Sequence, residues 1–332
     1  MMDHRRLGRT QSEVSVVGLG CWQLGSDWGS TPMSEADGQA VLHAAVDAGV
    51  TFLDTADVYG DGVSEAMIGR FLSARGRDGL IVATKMGQRA DPHVAEAYTL
   101  ENFRTWLDRS RRNLNVDVID LIQLHCPPTA VYSDDRVYDA LDRLVDEKII
   151  AAYGVSVETS DEALAAINHS PRLASVQIIL NVFRRKPLER VIPAAVAAGV
   201  GIIARVPLAS GLLSGRYDTS TTFAANDHRN YNINGEEFDV GETFSGVPYS
   251  IGVEAARNVA ALTPTGVSTA QMALRWIIDQ PGVTTVIPGA RSVQQAVENA
   301  GAGSIPSLTN ELQDALRDIY DHDIRQHVQA RW

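Results

Sequence analysis

The chain has only two cysteines in 332 residues, Cys21 and Cys126, so it is not a disulfide scaffold, and both thiols are expected to be reduced. Long apolar runs are missing too. No window extends far enough to cross a bilayer, and the opening "MMDHRRLGRTQSE" has no apolar core of signal-peptide length. A cytoplasmic protein with no membrane partner is the expectation. Positive charge is also in short supply: 29 Lys and Arg against 41 Asp and Glu give a formal net charge of -12. That balance argues against nucleic acid as a partner, because binding phosphates needs a surplus of basic side chains on some face. A local basic pocket for one small anionic ligand stays compatible with it. No spacing of His or Cys marks a metal site. No "GxGxxG" follows the first strand as a dinucleotide-binding Rossmann unit requires, and "GLGCWQLG" lacks the helix and distal acid that would complete one.

What is present is ordinary globular material, 45% hydrophobic and 21% charged, enough to bury a substantial core. From about residue 34 helical patterns alternate with short β-branched runs. In "SEADGQAVLHAAVDAGVTFLDTA" Ser34 caps an apolar-periodic segment, Gly49 stops it and a buried strand follows; "LERVIPAAVAAGVGIIARVPL" repeats this grammar with Gly199 as the stop. Such units imply parallel strands joined by crossover helices. The candidate strands are "VSVVGLG", "VTFLD", "LIVATK", "VIDLIQLH", "IAAYGVS", "SVQIILN", "VGIIARV" and "VTTVIPG", eight in all. Without a linker-like break between them, they predict one α/β domain over residues 1–332, a (β/α)8 TIM barrel. An open doubly wound sheet is the alternative. "RRLGRTQSEVSVV" reads as a short N-terminal hairpin around a Gly-Arg-Thr turn. Residues Ser214 to Ser250, after the seventh strand, are polar and too long for a routine connection; with Phe223, Tyr231, Phe238 and Phe244 among them they are expected to form a lid.

In a parallel barrel the residues just past the strand C-termini share one rim. Reading the strand ends in order places Asp54 and Tyr59, from "DTADVYG", with Lys85 and His125 at one mouth. Each alone has a plain structural explanation as a turn cap, a rim lysine or a strand terminator, and Asp57 competes with Asp54 for the carboxylate's part. Together they have a use. An ammonium lowers the pKa of a neighbouring phenol, so Lys85 would make Tyr59 a better acid, while Asp54 would keep Lys85 protonated. His125 would hydrogen-bond a substrate oxygen and position it against Tyr59. This equipment suits protonation of a carbonyl oxygen while a cofactor delivers hydride.

The motifs "GLGCWQLG", "DTADVYG", "ATK", "DLIQLH", "PLASGLLSG" and "IPGARSVQQAVENAGA", in this order and spacing, resemble those of the aldo-keto reductase family over nearly the whole chain. The resemblance implies a (β/α)8 barrel, NAD(P)-dependent interconversion of carbonyls and alcohols, and Asp54, Tyr59, Lys85 and His125 as the catalytic tetrad. It implies nicotinamide over the mouth near Ser156 and Gln177, and pyrophosphate along Pro207, Leu208, Ser210 and Leu212. Gly289, Arg291, Gln295, Glu298 and Asn299 would surround the adenosine end. A guanidinium at Arg291 suits a 2'-phosphate, favouring NADP, with NAD possible because Gln295 stands where many members have a second Arg. Val157 replaces a frequent Asn. Arg205 stands where many members stack an aromatic ring on nicotinamide, and its fixed charge is expected to disfavour the oxidised, positively charged ring. Trp22, Trp28 and Met86 are candidates for the substrate wall. Small aldehydes, ketones, keto-sugars or the corresponding alcohols are the implied substrates. A cofactor-binding regulatory subunit resembling potassium-channel β-subunits is the second reading. Oligomeric state is left open.

Overall fold

A computed structural model of the chain describes residues 2–25 and 32–332. Trp28 lies outside the described residues. Two short antiparallel strands, β1 (His4–Arg6) and β2 (Glu13–Ser15), form the expected hairpin, with Arg5 opposite Val14. Eight parallel strands follow: β3 (Leu19–Gly20), β4 (Phe52–Asp54), β5 (Ile81–Met86), β6 (Leu121–His125), β7 (Tyr153–Ser156), β8 (Ser175–Ile179), β9 (Gly201–Arg205) and β10 (Val283–Val286). They pair in sequential order from β3 to β10. Parallel bridges Val17 to Val286 and Gly20 to Gly289 bring the two edge strands together, so the sheet closes into a barrel.

One predicted strand is split. "VSVVGLG" reads as a single run, yet β2 belongs to the hairpin and β3 to the wall. The Ser15 hydroxyl bonds the Val17 carbonyl at 2.7 Å, a local bond, and its backbone N–H donates to the Thr51 hydroxyl at 2.8 Å, 36 residues away; together they turn the chain from floor to wall.

The helical segments end where their sequence signals stand. Ser34 accepts a bond from Asp37 N–H at the start of helix Glu35–Asp47. Gly199 ends helix Val191–Ala198 with φ 67°, and its N–H bonds the carbonyls of Ala195 and Val196. Helix Leu100–Leu114 and helix Thr269–Ile278 begin at Thr99 and Ser268 caps in the same way. Among the described residues no helix is long and apolar enough to cross a membrane.

Hairpin residues Leu7 and Val14 close the barrel floor. They pack with Phe52, Ala83, Leu121, Ala174, Ile203 and Ile287, four of them strand residues and the other two next to strands. Gly8 makes this approach possible: its φ is 53°, and a Cβ there would lie 1.9 Å from the Ala174 carbonyl oxygen. Gly8→Ala is therefore expected to destabilise by about 3 kcal/mol or more, combining a backbone clash with a left-handed residue. Gly266 also has positive φ but nothing within 4 Å of its would-be Cβ, so Gly266→Ala should cost only about 1 kcal/mol. Urea unfolding of both variants separates clash from backbone preference; equal losses would refute the floor contact.

Candidate active site

Asp54 ends β4, Lys85 is the fifth residue of β5, His125 ends β6 and Ser156 ends β7. Strand register brings them together: Lys85 faces Gln123, His125 faces Ser156, and Ser156 faces Gln177. Tyr59 follows β4 at the head of a single turn, Tyr59–Gly62, in which Gly60, Asp61 and Gly62 all have positive φ. Asp61 anchors that turn by ion pairs to Arg89 and Arg109, which directs the phenol into the mouth.

The centre of the site is the Lys85 ammonium, 1% exposed. It donates to Asp54 Oδ1 at 2.5 Å, to the Thr55 carbonyl at 2.8 Å and to the Tyr59 hydroxyl at 3.3 Å. The second Asp54 oxygen accepts from Gln123 at 3.0 Å and Gln177 at 2.7 Å. Burial pulls the Lys85 pKa down, but Asp54 and Tyr59 outweigh it, and the net shift is upward; the ammonium stays charged. His125 meets the Tyr59 ring edge-on, with centroids 5.9 Å apart. Burial, with Lys85 and Arg205 nearby, holds its pKa well below the usual imidazole value, so it is neutral at neutral pH.

Two sequence expectations change here. The ammonium was expected to make Tyr59 a stronger acid. Burial acts first and raises the phenol's pKa, Lys85 opposes it, and Asp54 and Glu242 add to the rise; the net shift is upward. The phenol is thus a proton store rather than a group near ionisation. Asp57, the competing carboxylate, does not reach Lys85 through its side chain. It is fully buried, its nearest ionic partner is Arg89 at 3.5 Å, and burial with Glu65 nearby pushes it up to about 7.

Arg205, at the end of β9, is only 7% exposed and is not a bare charge. It bonds the Val157 carbonyl at 2.8 Å and Glu158 at 3.1 Å, and it forms an ion pair with Glu242 of the segment after β9. With two carboxylates on one guanidinium, the premise that Arg205 repels an oxidised ring fails. Val157 itself is fully buried.

The segment from Ser214 to Ser250 is folded over this region. It holds helical turns at His228–Tyr231, Val240–Glu242 and Phe244–Gly246. Phe244 is 1% exposed and packs on Phe223 and Tyr249. The segment is tied down by Asn181, which donates to Ser245 at 2.7 Å, and by the Ser210 hydroxyl, which donates to the Glu242 carbonyl and accepts from Phe244 N–H, both at 3.0 Å. His228 meets the Trp22 ring edge-on at 5.0 Å. Met86, by contrast, is fully buried in the core and offers no wall.

Left-handed backbone recurs in the segment after β9, at Val206, Ala209, Ser210 and Gly211. A β-branched residue there is strained, and strain of about 1–3 kcal/mol per residue collects at functional segments. Pro207 and Leu212 are buried, and Leu208 and Ser210 are partly exposed. Across the mouth, Ser292 caps helix Val293–Gly301, Arg291 is exposed, and its N–H bonds the Gln295 side chain at 2.8 Å. Asn299 holds the Gly289 carbonyl at 3.1 Å, while Glu298 accepts from Gln294 at 2.8 Å. Gln123, Glu158 and Glu242 were not among the sequence candidates. Gln123 was within reach, since it alternates with His125 on one strand face.

A sequence model described as "Aldo/keto reductase family" matches residues 16–321. Aldo-keto reductase YhdN of Bacillus subtilis (strain 168) is 31% identical over 334 residues, covering 98% of this chain and 96% of that protein. The glycerol dehydrogenase AKR11B4 from Gluconobacter oxydans has a similar structure, with TM-score 0.79 at 29% identity, covering 99% of this chain and 97% of that one. The holo form of aldo-keto reductase AKR11C1 from Bacillus halodurans gives TM-score 0.76 at 25% identity over 96% of each chain.

Because Asp54 and Lys85 neutralise each other in a dry site, Lys85→Met should cost about 3–5 kcal/mol at pH 8. An unpaired buried carboxylate has its folded pKa raised, so the penalty is present at high pH and relieved as pH falls and Asp54 takes a proton. Urea midpoints at pH 5 and pH 8 test this. An equal loss at both would mean the charge pair is not what the variant disturbs.

Proposed function

Since the chain belongs to the aldo/keto reductase family, we propose that it reduces aldehydes, ketones or keto-sugars to alcohols, or runs the reverse, with Tyr59 as proton donor. The observation that carries this is one buried ammonium bonded at once to Asp54 and to the Tyr59 hydroxyl, beside a neutral imidazole. Asp54 holds Lys85 charged. Lys85 holds the phenol oxygen in place and stabilises any phenolate left after proton transfer. His125, neutral, can hydrogen-bond the substrate oxygen without competing for its proton. Gln123 and Gln177 fix the second Asp54 oxygen, which keeps the carboxylate from rotating away.

The residues present fit a nicotinamide dinucleotide. The His125 Nδ1 atom is buried without a hydrogen-bond partner among the described residues, and strained backbone marks the segment read as the phosphate contact. When bound, the nicotinamide supplies the hydride in reduction and accepts it in oxidation. Ser156, Gln177 and Arg205 would hold the ring, although the Gln177 amide nitrogen is already committed to Asp54. Pro207, Leu208, Ser210 and Leu212 would hold the pyrophosphate, and Gly289, Arg291, Gln295, Glu298 and Asn299 the adenosine end. The exposed Arg291 beside a helix N-terminus supports NADP as the preferred form. Trp22 supports one substrate wall. Two free cysteines suit the reducing cytoplasm. A core running from Met2 to Trp332 supports a single domain.

The test is NADPH and NADH titration by fluorescence, followed by turnover with simple aldehydes, ketones and keto-sugars. Glycerol is included because one relative is a glycerol dehydrogenase. Tyr59→Phe should lower kcat by about 10²–10⁴-fold with NADPH affinity kept. Reduction needs the protonated phenol, whose pKa is raised, so its rate should hold through neutral pH and fall only as Tyr59 ionises; oxidation should rise over the same alkaline range. Arg291→Ala should weaken NADPH by about tenfold or more and spare NADH. Binding without any turnover would point to the regulatory-subunit reading.

A further inference from the structure

The lid closes a cluster of charges over the mouth that does not balance. Arg205 pairs with Glu158 at 3.1 Å and with Glu242. Arg184, 2% exposed, lies 3.5 Å over the Trp332 ring, whose indole N–H donates to Asp239 at 3.0 Å. The Arg184 guanidinium also donates to the Glu158 carbonyl at 3.2 Å. Two guanidiniums thus face three carboxylates. The other groups around Glu242 do not correct the sum: Arg331, 5.7 Å from the same Trp332 ring, is exposed to solvent, Asp54 and Lys85 cancel as a contact pair, Tyr59 and His125 are neutral at neutral pH, and burial keeps the Cys126 thiol protonated. Among the described residues the buried cluster is one cation short.

We propose that Glu242 is the counter-charge for the oxidised nicotinamide ring, so that this lid carboxylate sets which redox form of the cofactor the site prefers. This rests on the nicotinamide reading above. Hydride must pass to the carbon whose oxygen meets the Tyr59 hydroxyl, which fixes the ring at the mouth. The Arg205 guanidinium paired with Glu242 also meets the Cys126 sulfur at 3.9 Å, and that thiol lies 3.6 Å from the Ser156 hydroxyl, so the Glu242 charge reaches the same space. The reduced ring is neutral and the oxidised ring carries one positive charge, the amount the cluster lacks. Without that cation a proton takes its place. Burial, with Glu158 and Asp239 adding repulsion and Arg205 opposing, holds Glu242 at about 7. Ionised Glu242 therefore favours the oxidised cofactor, and protonated Glu242 removes the preference, the reverse of what a bare Arg205 would do.

The experiment measures Kd for NADP+ and NADPH by protein fluorescence at pH 6, 7 and 8.5, for the wild type and Glu242→Gln. The phosphates are common to both forms, so their titration cancels in the ratio. Kd(NADP+)/Kd(NADPH) should fall by about fivefold from pH 6 to 8.5 in the wild type, for a one-unit drop in the Glu242 pKa when the oxidised ring binds, and stay flat in Glu242→Gln. Calorimetry of the wild type at pH 7, in buffers of different ionisation enthalpy, should show NADP+ releasing up to about half a proton more than NADPH; this holds the proposal to account even if the variant fails to fold. A pH-independent ratio in the wild type, or the same slope in Glu242→Gln, overturns the assignment to Glu242 while leaving the reductase reading intact. Failure to bind either form overturns both.

Discussion

A lysine buried to 1% exposure and still charged is the constraint on which the site depends. An ammonium out of water needs a full set of acceptors or it gives up its proton. Lys85 finds a carboxylate, a backbone carbonyl and a phenol, contributed by the end of β4 and the residues just after it. The barrel makes this affordable because neighbouring parallel strands place alternate residues on one inner face at fixed spacing. Gln123 of β6 and Gln177 of β8 then occupy the second Asp54 oxygen. No member of this group can be moved without leaving another unsatisfied.

The two charged groups at the mouth are built on opposite rules. The Asp54 and Lys85 pair is balanced and dry, and it serves to hold geometry. The group around Arg205 carries an odd number of charges and includes a carboxylate, Glu242, whose side chain is 26% exposed. A balanced pair resists change; an odd cluster responds to whatever cation or proton arrives. Position in the fold separates them, one set on strand ends and the other completed by the lid.

The barrel and the hairpin were legible because they rest on local rules: short β-branched runs alternating with helical patterns, helix stops at Gly49 and Gly199, and caps at Ser34 and Ser292. Asp54, Tyr59, Lys85 and His125 were legible because strand ends converge in any such barrel. Their convergence could be read, but their energetics could not. Whether the phenol pKa falls or rises depends on how far desolvation exceeds one ammonium, and burial is a tertiary property. The split of "VSVVGLG" into β2 and β3 was hidden for a related reason, since apolar content cannot distinguish a strand from a turn held by the Ser15 hydroxyl.

Arg205 shows the same limit most sharply. Its type and strand position were readable, and from these a repulsion of the oxidised ring followed. The sign depended on partners at 158 and 242, one just past β7 and the other 37 residues beyond Arg205, in a segment without periodicity. A guanidinium with one acid is neutral, and with two it is part of an anion. Sequence reports the charge a residue carries; the field it produces belongs to the set of residues the fold gathers around it. For a reaction in which a ring changes charge by one unit, that set decides which side of the equilibrium the protein holds more tightly.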